Sequence, residues 1–368
     1  MNERYFDNAA TSPLDPRVLE AMLPYLTERL GNANSIHAWG IRARAAVEDA
    51  RAHVAELIGA EDPSQIVFTS GATEGNNWLL KAFGSGWISP FEHSSVREPA
   101  EALAYGTLRN NGYDILAPSE SRPESDGAGS HVPTTRLISV MTVNNEIGTV
   151  FDPTKLAVPG AALHSDATQA VGKVPFTVAD LDFATLSAHK FYGPAGVGIL
   201  YARDTASLSP LLLGGGHEGG LRSGTLNVAG IVGAGAAAKI ASREWEADYA
   251  HASELRARIL SVIADSPDFL VLGGSKVSPH ILGLSFAGVE GESVVLELDA
   301  LGFAVSSGAA CSSRTVESSH VLRALALAEP WLRGTIRISF GRQNTRDAAT
   351  ALAVALTETV ARLLKMRK

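Results

Sequence analysis

Short, wholly apolar runs alternate with stretches in which apolar residues return at helical spacing, and the alternation begins near Gln65. Ile66–Thr69, Arg136–Val143, Ala162–His164, Phe183–Leu186 and Val197–Tyr201 read as strands. Their apolar character is continuous rather than alternating, so helices cover both faces of the sheet, as in a mostly parallel α/β domain. Polar residues cluster just beyond the carboxyl ends of these runs: Ser70-Gly71-Ala72-Thr73-Glu74, Asn144-Asn145-Glu146, Asp166 and Ser187-Ala188-His189-Lys190. Open α/β sheets bind ligands at those ends, which lets separate segments converge on one site.

Further along the chain the pattern changes. Val228–Ala238, rich in Gly and Ala, predicts a buried helix. Gly233-Ala234-Gly235-Ala236-Ala237-Ala238 within it matches a loosened dinucleotide fingerprint, but no strand precedes it, so it is assigned to close helix packing. Trp245, Tyr249, Ala252, Leu255, Ile259 and Ile263 mark a long amphipathic helix over Glu244–Ile263. Strands at Ile281–Phe286, Phe303–Ser306 and Thr335–Phe340 and a terminal helix over Ala349–Leu364 predict a second, α+β unit. The expected division is a large domain over 13–245 and a small domain over 1–12 and 246–368. Ser119–Thr135, rich in Ser, Pro, Glu, Asp and Gly, reads as a surface loop.

Composition narrows the function classes. With 368 residues, 45% hydrophobic and 19% charged, the chain has the make-up of an ordinary globular protein. A formal charge of −8 argues against nucleic acid or an anionic membrane as a direct partner. Met1–Asp7 has no basic start followed by an apolar stretch, so no secretory signal is expected, and no run is long enough to cross a bilayer. The single cysteine, Cys311, excludes an intramolecular disulfide and a thiolate zinc site and fits a reducing, cytoplasmic compartment. The histidines show no His-Glu-x-x-His spacing, so no metal site is expected.

The most informative chemistry is the pair formed by Lys190 and Asp166. A lysine that holds an aldehyde cofactor as a Schiff base needs a carboxylate elsewhere to keep the pyridine nitrogen protonated, and together they suggest pyridoxal 5'-phosphate. Ser70-Gly71-Ala72-Thr73 leads from a strand into a helix and either binds a phosphate through its N–H groups or merely caps the helix. Gly214–Gly220 either approaches a ligand closely or forms a mobile loop. His93 is a candidate acid/base or ring-stacking group, against an ordinary half-buried polar residue. Cys311, flanked by small residues, is a loop nucleophile or a buried thiol. Arg337, between Ile336 and Ile338, is an edge charge or a fork for a substrate carboxylate.

Taken in order, Phe68-Thr69-Ser70-Gly71-Ala72-Thr73-Glu74, Val143-Asn144-Asn145-Glu146-Ile147-Gly148, His189-Lys190, Arg222-Ser223-Gly224-Thr225 and Ser306-Ser307-Gly308-Ala309-Ala310-Cys311 resemble the cysteine desulfurases. These belong to the fold-type I, class V aminotransferase group, and the resemblance is to the branch serving iron-sulfur cluster assembly and tRNA thiolation. It implies a fold-type I α/β transferase whose large domain binds pyridoxal phosphate and whose smaller α+β domain carries the Cys311 loop. By the same resemblance Lys190 would carry the cofactor, Asp166 would face its pyridine nitrogen, and Gln169 would bond the phenolic oxygen. His93 would stack on the ring and relay protons. Ala72, Thr73, Ser187 and His189 would hold the phosphate, joined by Thr225 of a second subunit, which implies a homodimer. Asn145 and Arg337 would bind the carboxylate of L-cysteine. Cys311 would take the sulfur as a persulfide, leaving L-alanine, and pass it to an acceptor protein or thiol.

Departures from the family pattern temper the choice of partner. Gly219 stands where relatives often have Arg after His-Glu, the segment from Ile147 to Ala162 is short, and the tail stops at Lys365-Met366-Arg367-Lys368. A cluster scaffold is therefore not an assured acceptor. Selenocysteine lyase, or another class V lyase or aminotransferase, is the alternative enzyme reading; a weakly active sulfur relay or platform is the alternative of another class.

Overall fold

Apolar runs pair into a sheet only if helices can cover it, and here they do on both sides. The computed structural model describes residues 3–115, 136–264, 266–307 and 319–366. Its strands are β1 (Ile66–Thr69), β2 (Gly86–Ile88), β3 (Gly106–Thr107), a small hairpin of β4 (Asn110–Asn111) and β5 (Asp114–Ile115), β6 (Arg136–Ser139), β7 (Ala161–Asp166), β8 (Phe183–Ser187) and β9 (Gly198–Ala202). Seven of them form the main sheet in the order β1-β9-β8-β7-β6-β2-β3. Only β9 runs against its neighbours β1 and β8, so the sheet is mostly parallel, as expected for α/β architecture.

Helices α1 (Pro16–Leu26), α2 (Ala38–Ile58), α3 (Ala72–Phe83), α4 (Ser94–Ala102) and α5 (Val228–Ile263) complete this unit. Trp78, Leu79 and Leu80 of α3 cover one face with Val96 and Ala100 of α4, while Val47, Val54 and Ile58 of α2 and Ala234, Ala237 and Ala238 of α5 cover the other. Regular pairing in β6 stops at Ser139, short of the run ending at Val143, yet Val140 and Thr142 still donate to the carbonyls of His164 and Asp166. β2 was not read from sequence. At three residues it carries almost no periodic signal, and Gly86 is required because a Cβ there would lie 1.9 Å from the Leu137 carbonyl oxygen.

The two helices expected over Val228–Ala238 and Glu244–Ile263 are one helix of 36 residues. The polar stretch between them is where α5 passes from one core to another, not a break: Ala229–Ala241 packs on the main sheet, and Ala252, Leu255, Ile259 and Ile263 pack on a second sheet. A division at residue 245 thus falls inside a continuous helix. The second sheet has the order β10 (Phe269–Val271), β11 (Ile281–Phe286), β13 (Thr335–Ser339), β12 (Ser306–Ser307), all antiparallel. Helices α6 (Gly291–Ala300), α7 (His320–Ala324), α8 (Glu329–Leu332) and α9 (Arg346–Met366) accompany it. The N-terminal residues join this sheet through bridges of Tyr5 with Ala304 and Asp7 with Ser339, and Phe6 is buried against Phe303 and Phe340. Among the described residues no helix is long and apolar enough to cross a membrane.

Gly235 shows why the fingerprint-like string is a packing device. A Cβ there would sit 2.5 Å from both Cα and Cβ of Ala50, so the glycine lets α5 lie directly on α2. Gly235→Val is expected to lower the denaturant midpoint by the equivalent of about 1–3 kcal/mol through overpacking, despite valine's better helix propensity. An unchanged midpoint would contradict this tight crossing.

Candidate active site

The polar ends of β7 and β8 lie side by side because those strands pair in parallel. Lys190 closes the single turn Ala188–Lys190 that follows β8. Its Nζ donates to the carbonyl oxygens of Ala9 at 2.6 Å and Ala10 at 2.8 Å. Asp166 ends β7 and is buried; its Oδ1 accepts from the Thr168 N–H at 3.0 Å and its Oδ2 from Asn76 Nδ2 at 2.9 Å. A buried carboxylate needs such donors to remain ionised.

Asn76 is the hub of this arrangement. The Thr185 hydroxyl donates to its Oδ1 at 2.6 Å, which orients the amide so that Nδ2 donates to both Asp166 and Ser95 Oγ. Ser95 Oγ then lies 2.8 Å from His93 Nδ1, which also accepts the Ser95 N–H. Read along the chain of donors, His93 Nδ1 is the acceptor, and the proton of a neutral ring sits on Nε2. On the other side Thr185 Oγ1 meets His164 Nε2 at 3.2 Å, while His164 Nδ1 meets Ser139 Oγ at 2.9 Å. These hydroxyls satisfy a fully buried neutral imidazole.

Gln169, one turn beyond Asp166, donates from Nε2 to the Ala9 carbonyl at 2.8 Å. Ala9 thereby receives both Gln169 and Lys190, so the N-terminal segment is part of the site wall. The same segment holds Arg337: Asp7 accepts from its Nη2 at 2.7 Å, and the Asn145 carbonyl accepts from Nη1 at 2.9 Å. Arg337 lies on the interior strand β13, between β11 and β12, which removes the edge-charge reading. Its Nε is buried with no partner. Such a donor suits an incoming carboxylate.

At the opposite end α3 begins at Gly71 with no side-chain cap, and the Ala72 N–H reaches Ser187 Oγ at 2.9 Å. Thr73 and His93 line an open cleft of about 460 Å³ between α3 and α4. The His189 ring meets Thr11 Oγ1 at 3.0 Å. Thr225 is exposed and hydrogen-bonds none of these residues. Its Gly-rich loop is less free than its sequence suggests, because the Glu218 side chain is buried and accepts from Arg51 Nη2 at 2.8 Å and from the Phe68 N–H at 2.7 Å. Cys311 and the expected loop over Ser119–Thr135 lie outside the described residues.

Desolvation dominates the electrostatics. Burial lowers the His93 pKa, opposed by Asp166 and reinforced by Lys190 and Arg337, so one ring feels all three charges. Burial lowers His189 to about 4, with Lys190 adding to the effect. Glu92 is driven well above the usual carboxyl value by burial and then by Asp166, and its Oε2 has no partner. Burial raises Glu146 to about 7 although Ser319 Oγ donates to it at 2.6 Å and Arg337 is near. Glu92, Asn76, Ser95 and Asp7 were not singled out from the sequence. Glu92 and Ser95 have nearness to His93 as their only local signal, Asn76 and Asp7 have none, and it is the fold that aims them inward.

This donor set fits pyridoxal phosphate: a buried carboxylate for a pyridinium, an amine beside it, a histidine ring whose protonation responds to both, and an uncapped helix start next to a hydroxyl for the phosphate. The fold and the site together define the fold-type I class of pyridoxal phosphate enzymes. The chain belongs to the class V aminotransferase family, whose model matches residues 4–352. It is 39% identical to a protein of Archaeoglobus fulgidus named cysteine desulfurase IscS 1, over 98% of both chains. A cysteine desulfurase IscS of Anaeromyxobacter dehalogenans is 41% identical over 98% of this chain and 93% of that one. Among solved structures, a NifS-like protein superposes with a TM-score of 0.85 at 32% identity, covering 98% of this chain and all of the other. SspA in complex with cysteine superposes with a TM-score of 0.76 at 29% identity, over 93% and 100% of the respective chains.

The buried imidazole of His164 gives a pH signature. Burial lowers its pKa in the folded chain, against an attraction from Asp166, so the unfolded chain binds more protons below about pH 6.5. The associated stability is complete above that pH and is lost as the pH falls toward the lower folded value. His164→Gln is expected to flatten the acid-side decline of the thermal midpoint below about pH 6.5. An unaltered slope would show that His164 does not titrate this way.

Proposed function

We propose that this chain is a pyridoxal phosphate-dependent cysteine desulfurase that converts L-cysteine to L-alanine and carries the removed sulfur on Cys311 as a persulfide. The observation that carries the reading is the placement of Lys190 and Asp166 at the ends of adjacent parallel strands, with His93 in the field of both. The bound cofactor would supply an electron sink for charge developing at the substrate Cα.

The chain's own groups then divide the work. Lys190 Nζ would hold the cofactor and, once displaced by the substrate amine, would remove the α-proton. Asp166, whose carboxylate accepts from Asn76 and the Thr168 N–H, would hold a proton on the pyridine nitrogen. Gln169 would donate to the phenolic oxygen, and Ala72, Thr73, Ser187 and His189 would bind the phosphate. Asn145 and the unpartnered Nε of Arg337 would receive the substrate carboxylate. His93, with Nδ1 committed to Ser95, would stack its ring face on the cofactor and offer Nε2 for proton relay. Cys311 Sγ, as thiolate, would form a bond to the substrate sulfur while the Cβ–S bond breaks, its electron pair staying with Cβ and taking a proton to give the methyl group of alanine, and the persulfide would pass to an acceptor protein or thiol.

A homodimer is part of the reading. Leu19, Leu23 and Leu26 are exposed at positions of α1 that share one helix face, and Leu30, Ile36 and Trp39 are exposed in the residues that follow. Exposed apolar side chains in this number support an interface. Such a dimer would bring the exposed Thr225 of each subunit to the phosphate of the other.

Purified protein with pyridoxal phosphate is expected to develop visible absorbance, and borohydride is expected to trap an adduct on Lys190. Lys190→Ala should lose both and should release alanine from cysteine at least about 100-fold more slowly. Cys311→Ala should fail to form persulfide. Undiminished persulfide-dependent turnover in Cys311→Ala would refute its role. Light scattering should give twice the chain mass, and Leu23→Asp should shift it toward the monomer; a wild-type monomer with full activity would overturn the shared site.

A further inference from the structure

Lys173 is fully buried and has no part in the chemistry above. Its Nζ donates to Gln169 Oε1 at 3.2 Å, the only side-chain hydrogen bond of this amine among the described residues. The chain can fold it back because Gly172 adopts φ +70, and a Cβ there would stand 3.1 Å from Ala241 Cβ and 3.3 Å from Phe191 Cβ. Gly172 thus lets the backbone before Lys173 lie close to α5 and to the residue after the Lys190 turn.

A primary amide has two orientations, and packing alone scarcely distinguishes them. Two partners distinguish them here: the Ala9 carbonyl can only accept and so takes Nε2, and the Lys173 ammonium can only donate and so takes Oε1, which leaves the N–H groups on the side of Ala9 and Lys190. We propose that Lys173 is a positioning residue that locks the Gln169 amide with its N–H groups toward the cofactor's phenolic oxygen. This rests on the pyridoxal phosphate reading and extends it by one residue.

The energetics make a purely structural role a poor account. A buried ammonium with one hydrogen bond is costly, and methionine would fill the same space without that penalty. Burial lowers Lys173 to about 7, with Lys190 and Arg337 adding and Asp248 opposing. His280, buried with an unpartnered Nδ1, also feels the Lys173 charge. Lys190, Arg337, Asp248 and His280 are therefore the charged and titratable groups against which any change at Lys173 must be judged.

The test uses the full chain loaded with pyridoxal phosphate and reads the pH midpoint of its visible absorbance rather than turnover. An N–H donor on the phenolic oxygen stabilises its anion, so losing that donor raises the midpoint. Lys173→Met is expected to raise it by about one pH unit, the scale of one hydrogen bond, and to weaken cofactor retention on dialysis. Lys173→Gln, which keeps a donor without the charge, should restore most of the wild-type midpoint. In a Gln169→Leu background, Lys173→Met should add little, as required if Lys173 acts through Gln169. Equal shifts from Lys173→Met with and without Gln169 would overturn the proposal in favour of a direct charge effect. An unmoved midpoint in both Lys173 variants would overturn it in favour of a structural role, whether or not thermal stability falls. A wild-type chain that gives no absorbance and no borohydride adduct would overturn the cofactor reading itself, and this proposal with it.

Discussion

The hydrogen bond from Asn76 to Asp166 is the contact on which the site's organisation depends. A carboxylate taken out of water at the end of a buried strand stays charged only if donors replace its hydration. Asn76 is such a donor, but it can serve only in one amide orientation, which the Thr185 hydroxyl imposes. From that single choice follow the orientation of Ser95 and the tautomer of His93. Strand β8, helix α3 and the turn at the start of α4 are thereby tied to one carboxylate at the end of β7.

A second constraint comes from the N-terminus. Residues 5–12 lie across both sheets: Tyr5 and Asp7 bridge to the second sheet, Ala9 and Ala10 accept from Lys190, and the Ser12 hydroxyl donates to the His189 carbonyl. A short extended segment can do this because its backbone carbonyls need partners anyway. Farther out, Arg342 lies 4.4 Å from the centre of the Tyr192 ring and pairs with Asp15, Glu244 and Asp248. Tyr192 follows Lys190 closely and has φ +66, a strained conformation for a tyrosine. The ion cluster holds that residue in place and so links the second sheet to the lysine turn.

Desolvation also shifts several groups near the site toward neutrality. Glu92, Glu146, His164 and Lys173 are all shifted by burial toward their uncharged forms. Asp166, Lys190 and Arg337 are the groups that a zwitterionic amino acid and a protonated pyridine would meet. In a low-dielectric pocket few charges act strongly, and each acts at longer range.

Much of this was legible in the chain. Continuous apolar runs such as Phe183–Leu186 announce a sheet covered on both faces, because only double-sided burial tolerates them. Lys190 and Asp166 stand at the ends of such runs, and strand ends are where parallel sheets open to ligands. The tertiary structure decided what no local pattern can encode. Short strands such as β2 exist only because Leu137 is there to pair with, and the two helices expected after Val228 fuse because separate cores lie under each half. The partners of Arg337 and Gln169, Asp7 and Ala9, are more than 150 residues away in sequence. Sequence determines which groups can carry charge or donate a proton; only the fold determines which water molecules they lose and which neighbours replace them, and that exchange sets their chemistry.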